Sequence, residues 1–235
     1  MKAIFRRELS AYFNSPIGYV YLAMFCMFAG IFFFGTTLVR NTSDLRGVFA
    51  SVFTYAMFLI PILTMRLISE DLRLRTDLLL LTLPIKLSAL VLGKYLAVLC
   101  VFALGNTITL IYALVLSVFT PMDWLLIICH YLGLIFAGSA VLAIGMFISS
   151  LTESQIIAAI GGFSVATTLL LLDVFAGIVP VPFIRNILIG LSFSVHYADF
   201  TLGILNPSSI FFFVSVALVF LFLTQQALDR KRWKK

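Results

Sequence analysis

The chain has 235 residues, of which 62% are hydrophobic and 11% charged, and its mean hydropathy is +1.14. These values exclude a soluble globular domain and identify an integral membrane protein. The formal net charge of +6 reads as basic flanks of membrane spans, with no nucleic-acid surface implied. Cys26, Cys100 and Cys129 fall in apolar runs without metal-type spacing, so they read as small hydrophobes and imply no disulfide.

Met1 to Asn14 sets Phe5, Leu9, Tyr12 and Phe13 at helical spacing against Lys2, Arg6, Arg7, Ser10 and Asn14, which predicts an amphipathic helix in the membrane interface. Ser15 and Pro16 make a cap and a first-turn proline for a span from about Ile17 to Val39. That span is too long for a signal-peptide core and should remain as an anchor. The polar loop Arg40 to Arg46 contains the sequon Asn41-Thr42-Ser43, which lies too close to the membrane to weigh as a glycosylation site. A second span, about Val48 to Ile68, carries Pro61 as a kink.

Met65 to Lys86 then interrupts two apolar runs that are each long enough to cross a bilayer. Arg66, Glu70, Asp71, Arg73, Arg75 and Asp77 would each cost roughly 3 kcal/mol in hydrocarbon, so the stretch sits in water at one face. Thr76 is placed as an N-cap with Asp77 in the first turn, and Leu78 to Leu83 as a short helix stopped by Pro84. A helix this apolar needs either a groove on another protein or a headgroup layer to lie in, and composition leaves both open.

Leu87 to Phe119 is longer than one bilayer thickness requires, with Lys94 near its start placed to snorkel to the interface. Thr120 to Asp123 reads as a tight turn and Trp124 as an interfacial anchor. The fourth span, about Leu125 to Ile148, concentrates Gly133, Ala137, Gly138, Ser139, Ala140 and Gly145. After a turn at Ser149 to Gln155, the fifth, about Ile156 to Leu172, opens with Ala158, Ala159, Gly161 and Gly162 and ends at Asp173. Small residues at this density predict that both helices are packed against neighbours and not bathed in lipid. From Gly177 to Pro207 the pattern is broken by Pro180, Pro182, Arg185, Gly190, His196, Asp199 and Gly203, so two half-length helices fit where one spanning helix does not. A last span, about Ser209 to Leu228, stops at the basic run Asp229 to Lys235.

The fold class that results is an all-α integral membrane protein, a single transmembrane domain over 1–235 with six spans. Lys2, Arg6, Arg7, Arg66, Arg73, Arg75, Lys86, Lys94, Arg230, Lys231, Arg232, Lys234 and Lys235 fall on one side of it, 13 of the 16 basic residues. Arg40, Arg46 and Arg185 fall on the other. By the positive-inside rule both termini and Met65 to Lys86 are cytosolic, and Gly177 to Pro207 is external, in a multi-pass protein of the cell membrane.

No phosphate-binding loop, zinc helix or nucleophile elbow occurs, so the chain reads as neither an enzyme nor the holder of a cofactor. His130 and His196 lie on different predicted levels, which disfavours a shared metal site. Every acidic residue sits at a span end or in a loop, whereas a proton-driven carrier needs a carboxylate near mid-membrane; Asp173 comes nearest, as a helix-end residue.

Met65-Arg66-Leu67, Glu70-Asp71, Thr76-Asp77, Leu79-Leu80-Leu81-Thr82 and Pro84, followed by Leu92-Gly93-Lys94-Tyr95, resemble the first cytosolic loop of type-2 ABC exporter permeases, in particular the branch of gliding-motility and nitrous-oxide/copper permeases. Arg7-Glu8-Leu9, Tyr12-Phe13 and Ser15-Pro16 are similar to the start of that branch, and Ser192, His196, Phe200, Gly203 and Arg232-Trp233 to its external loop and tail. Leu72 and Leu78 stand where polar residues are commoner in the family.

The resemblance implies a permease subunit of an ATP-driven exporter whose ATP is bound by a separate ABC ATPase subunit. Glu70, Asp71, Thr76, Asp77, Leu79, Leu80, Leu81, Thr82 and Pro84 would form a coupling helix docked on that subunit. Ser192, His196, Phe200 and Gly203 would belong to re-entrant half-helices that gate the exit. It further implies a second permease chain, in a homodimer or a related heterodimer meeting through spans one, two and five, with membrane lipid around the pair and room for an accessory subunit. Two other classes compete: a secondary transporter or channel, disfavoured by the lack of similarity between halves, and a scaffold anchoring a cytosolic partner.

Overall fold

The computed structural model describes residues 2–39, 45–74 and 87–233. Helix α1 (Lys2–Asn14) precedes α2 (Pro16–Phe33), which continues through one π-helical segment, Phe34–Leu38. The second apolar run forms α3 (Arg46–Thr64), a tight turn, and the short α4 (Ser69–Arg73). Next come α5 (Leu87–Ser117), α6 (Trp124–Leu151) and α7 (Gln155–Ile178), the half-helices α8 (Pro182–Leu191) and α9 (Phe193–Thr201), and finally α10 (Pro207–Trp233). Six of these stretches are long and apolar enough to cross a membrane, so the chain is an all-α multi-pass membrane protein. The short helix expected at Leu78 to Leu83 and the sequon at Asn41 lie outside the described residues.

Side chains cap the starts of α6 and α7. Asp123 Oδ1 accepts from the backbone N–H of Leu125 at 3.1 Å and of Leu126 at 3.4 Å, and Ser154 caps α7 through Ile157. Pro16 takes the first turn of α2 as expected, but Ser15, although at the N-cap position, makes no capping bond. Its hydroxyl is engaged by Arg66, 51 residues along the chain.

Helix α6 is the centre, touching α3, α5, α7, α9 and α10. Its small residues admit one neighbour each: a Cβ at Gly133 would stand 2.5 Å from Phe200, while Gly138 receives the ring of Phe102 and Gly145 receives Thr64. Of the most apolar window of each span, 61% is buried in the second and fourth, but only 17% in the fifth. The expectation that the fifth span is packed against neighbours and not bathed in lipid is therefore corrected. Ala158, Gly162 and Ala166 of α7 face the bundle, with Gly162 against Pro61, whereas Ile157, Ile160, Ser164 and Thr168 form an exposed stripe. Small residues on one face said nothing about the other.

Candidate functional site: a charged corner and an opposite cap

The 65–74 segment, from which the charged stretch departs, and the end of α3 that leads into it are tied down by side chains from α1, α5 and α6. Leaving α3, the chain exposes carbonyls that the next turn of helix would have bonded. Tyr12 of α1 donates to Leu63 O at 2.8 Å, and Lys94 of α5 donates to Leu67 O at 2.9 Å. Ser149 of α6 works in both directions: its hydroxyl accepts from the N–H of Ile68 at 3.1 Å and of Ser69 at 3.0 Å, and donates to Met65 O at 3.3 Å. A side chain from a separate helix thus caps α4, the task a local Ser or Asp usually performs.

Lys94 is the electrostatic centre of this corner. Its ammonium meets Glu8 Oε1 at 3.0 Å, Asp71 Oδ2 at 2.8 Å and Leu67 O at 2.9 Å, so all three N–H donors have acceptors. The residue is only 4% exposed. The expected snorkelling does not occur, because two carboxylates and a carbonyl come to the charge. Arg66 adds a second pair, 2.7 Å from Glu70 Oε2, and reaches Ser15 Oγ at 3.0 Å. Burial pushes the Tyr12 phenol well above its usual range, so it remains a donor. Between α1 and the corner lies a cleft of about 190 Å³ lined by Arg7, Glu8, Arg66, Glu70, Asp71 and Lys94, among others.

Of the residues expected in the coupling segment, Asp71 therefore faces the buried Lys94, and the half-exposed Glu70 pairs with Arg66. Thr76, Asp77, Leu79, Leu80, Leu81, Thr82 and Pro84 lie outside the described residues. Sequence reasoning named Glu8 and Tyr12 only within the first helix and the resemblance, and Ser149 only as a turn residue, and gave none of them a partner in this corner. A lysine inside an apolar run asks for a buried carboxylate, and Glu8 was a polar residue on a helix already placed at that membrane level.

At the opposite end, Ser192, His196, Phe200 and Gly203 line up along α9. Ser192 is its N-cap, accepting from Val195 N at 3.4 Å, and it also closes α8. His196 Nε2 lies 3.1 Å from Gly190 O; since a carbonyl only accepts, this nitrogen donates and links the half-helices. Its Nδ1 lies 3.3 Å from Ser209 Oγ, which donates to Asp199 Oδ2 at 2.8 Å, and Asn206 donates to the same oxygen at 2.9 Å. The imidazole also stacks on Phe212 at 4.1 Å. Phe200 is fully buried against Gly133. Gly203, at φ +76, allows its own N–H to reach Phe200 O and that of Ile204 to reach Asp199 O, the double bond pattern that ends a helix in a left-handed residue.

His130, expected at a different level, stacks on Phe49 and stands 6.4 Å from Tyr197, so it belongs to the same end as His196. Among the described residues no group of three or more His, Cys, Asp or Glu is placed to hold a metal ion. Asp173 is not at a helix end: α7 continues to Ile178, and Asp173 Oδ1 is buried without a hydrogen-bond partner. No protein-family model and no curated protein matches the chain.

Proposed function

We propose that the chain is the membrane-spanning permease subunit of an ATP-driven exporter of the type-2 ABC class, working with a separate ATPase subunit and a second permease chain. The observation that carries the proposal is the corner around Lys94. A segment that transmits force must not shear away from the helices it drives, and 65–74 is fastened to α1, α5 and α6 by buried ion pairs and hydrogen bonds. A load applied to residues 75–86 would reach those helices as a rigid-body tilt. In this reading Leu79, Leu80 and Leu81 fill an apolar groove on the ATPase, and Thr76, Asp77 and Thr82 orient the helix at its rim, with Pro84 closing it. Glu70 and Asp71 hold the base of the lever.

The cap formed by α8 and α9 would close the exit on the far side. The chain supplies no internal duplication, so a path between subunits needs a partner of similar size. Exposure supports spans one and five as its contact surface more than span two, whose window is already 61% buried in its own chain.

Replacing Leu80 by Asp tests the docking directly, because it would place an unpaired charge in the groove while leaving the bundle untouched. The expected result is loss of the co-purifying ATPase with normal thermal unfolding of the permease. An ATPase retained at wild-type stoichiometry, with its hydrolysis still coupled, would refute the docking. A proton- or cation-coupled carrier is the second reading, favoured by the buried, unpartnered Oδ1 of Asp173. An assembly that transports without any nucleotide-binding chain would decide for it.

A further inference from the structure

The groove between α6 and α10 has an apolar floor and a basic mouth. Farther from the C-terminal end of α10, where α7 also contributes, a half-open cleft of about 320 Å³ is lined only by apolar side chains, among them Phe147, Ile148, Leu169, Val216 and Phe220. Toward the C-terminal end of α10 a second cleft of about 320 Å³ is lined by Phe147, Leu151, Leu223, Gln226, Ala227, Arg230 and Lys231. Phe147 belongs to both, and its ring meets Phe220 edge-on at 5.7 Å, so the two clefts are successive stretches of one groove.

The mouth is built and not merely basic. Lys231 Nζ donates to Ser150 O at 2.8 Å, which holds that cation over the C-terminal end of α6. Arg230 is exposed beside it. The ten helical steps from Phe220 to Arg230 rise about 15 Å, half of a hydrocarbon core about 30 Å thick and so the depth of one leaflet.

We infer that this groove is a binding site for an anionic phospholipid, with its phosphate at Arg230 and Lys231 and one acyl chain along Leu223, Ala227 and Phe147 toward the cleft at Phe220. Apolar walls alone would not select a ligand, because bilayer chains are as apolar as the wall. Selection comes from the two cations, which act on the headgroup within a Debye length. The site is independent of the ATPase reading, since it needs only a chain embedded in a membrane.

Native mass spectrometry of the purified chain, delipidated and then mixed with equal amounts of dioleoyl phosphatidylglycerol and dioleoyl phosphatidylcholine, tests it. The expected result is about tenfold greater retention of phosphatidylglycerol. Arg230→Gln alone should lower that preference, and Arg230→Gln with Lys231→Gln should bring it near parity. Ala227→Phe, which fills the groove and leaves both charges, should lower retention of phosphatidylglycerol as well. Equal retention of the two lipids by the wild type would overturn the inference, as would a preference unchanged by the charge variants. Retention of phosphatidylglycerol unchanged by Ala227→Phe would also overturn it, showing attraction to the basic tail without a groove. Loss of a second protein chain in that variant would show that a protein fills the groove instead.

Discussion

Lys94 connects three elements that are distant in sequence. Removing one partner of a buried ion pair leaves the others unneutralised, at a cost of about 3–5 kcal/mol. Lys94→Met is therefore expected to lower the unfolding midpoint in detergent sharply, whereas Glu8→Gln, with Asp71 and Leu67 O still on the ammonium, should lower it less. A Lys94→Met protein as stable as the wild type would contradict the account of this corner. The residue was misread from sequence because a lysine near a span start has an easy route to the interface. Its partners Glu8 and Asp71 meet it only through the tertiary fold, and periodicity carries no trace of that convergence. Ser149 was hidden for the same reason: a serine that caps a helix two elements away looks like an ordinary turn residue.

The half-helices were legible because their signals are local. Prolines and glycines break the run from Gly177 to Pro207, which is enough to read two half-length helices, whereas Ser192, His196, Phe200 and Gly203 were named through the family resemblance alone. What each does needed the structure: a cap, a link between helices, an anchor against Gly133, and a left-handed stop. Gly203→Ala should strain the φ of +76 and destabilise by about 1 kcal/mol or more. Faster hydrogen exchange at Leu202 to Ile204 would register it, with α6 and α10 unchanged; unaltered exchange there would show that the stop is held by other contacts. Helix α7 shows the opposite limit. Its small residues are on the packed face, but composition averages over the wheel and concealed the exposed stripe of Ile157, Ile160, Ser164 and Thr168.

For the whole molecule, six apolar helices follow from run length, which is why the architecture could be read before the packing, although α6 runs on to Leu151 and α7 to Ile178, past the ends expected at Ile148 and Leu172. Orientation rests on the distribution of Lys and Arg. With Cys26, Cys100 and Cys129 replaced, single cysteines at Arg73 and Asp199 should report it: a membrane-impermeant thiol reagent added to intact cells is expected to label position 199 and spare position 73, and the reverse pattern would invert the topology. The proposed assembly is a larger claim. The mass of the intact complex, purified through this chain in mild detergent, tests it most directly. The account predicts two permease chains with two nucleotide-binding chains and ATP hydrolysis in the assembly; a single chain that transports its substrate with no ATPase attached would contradict it.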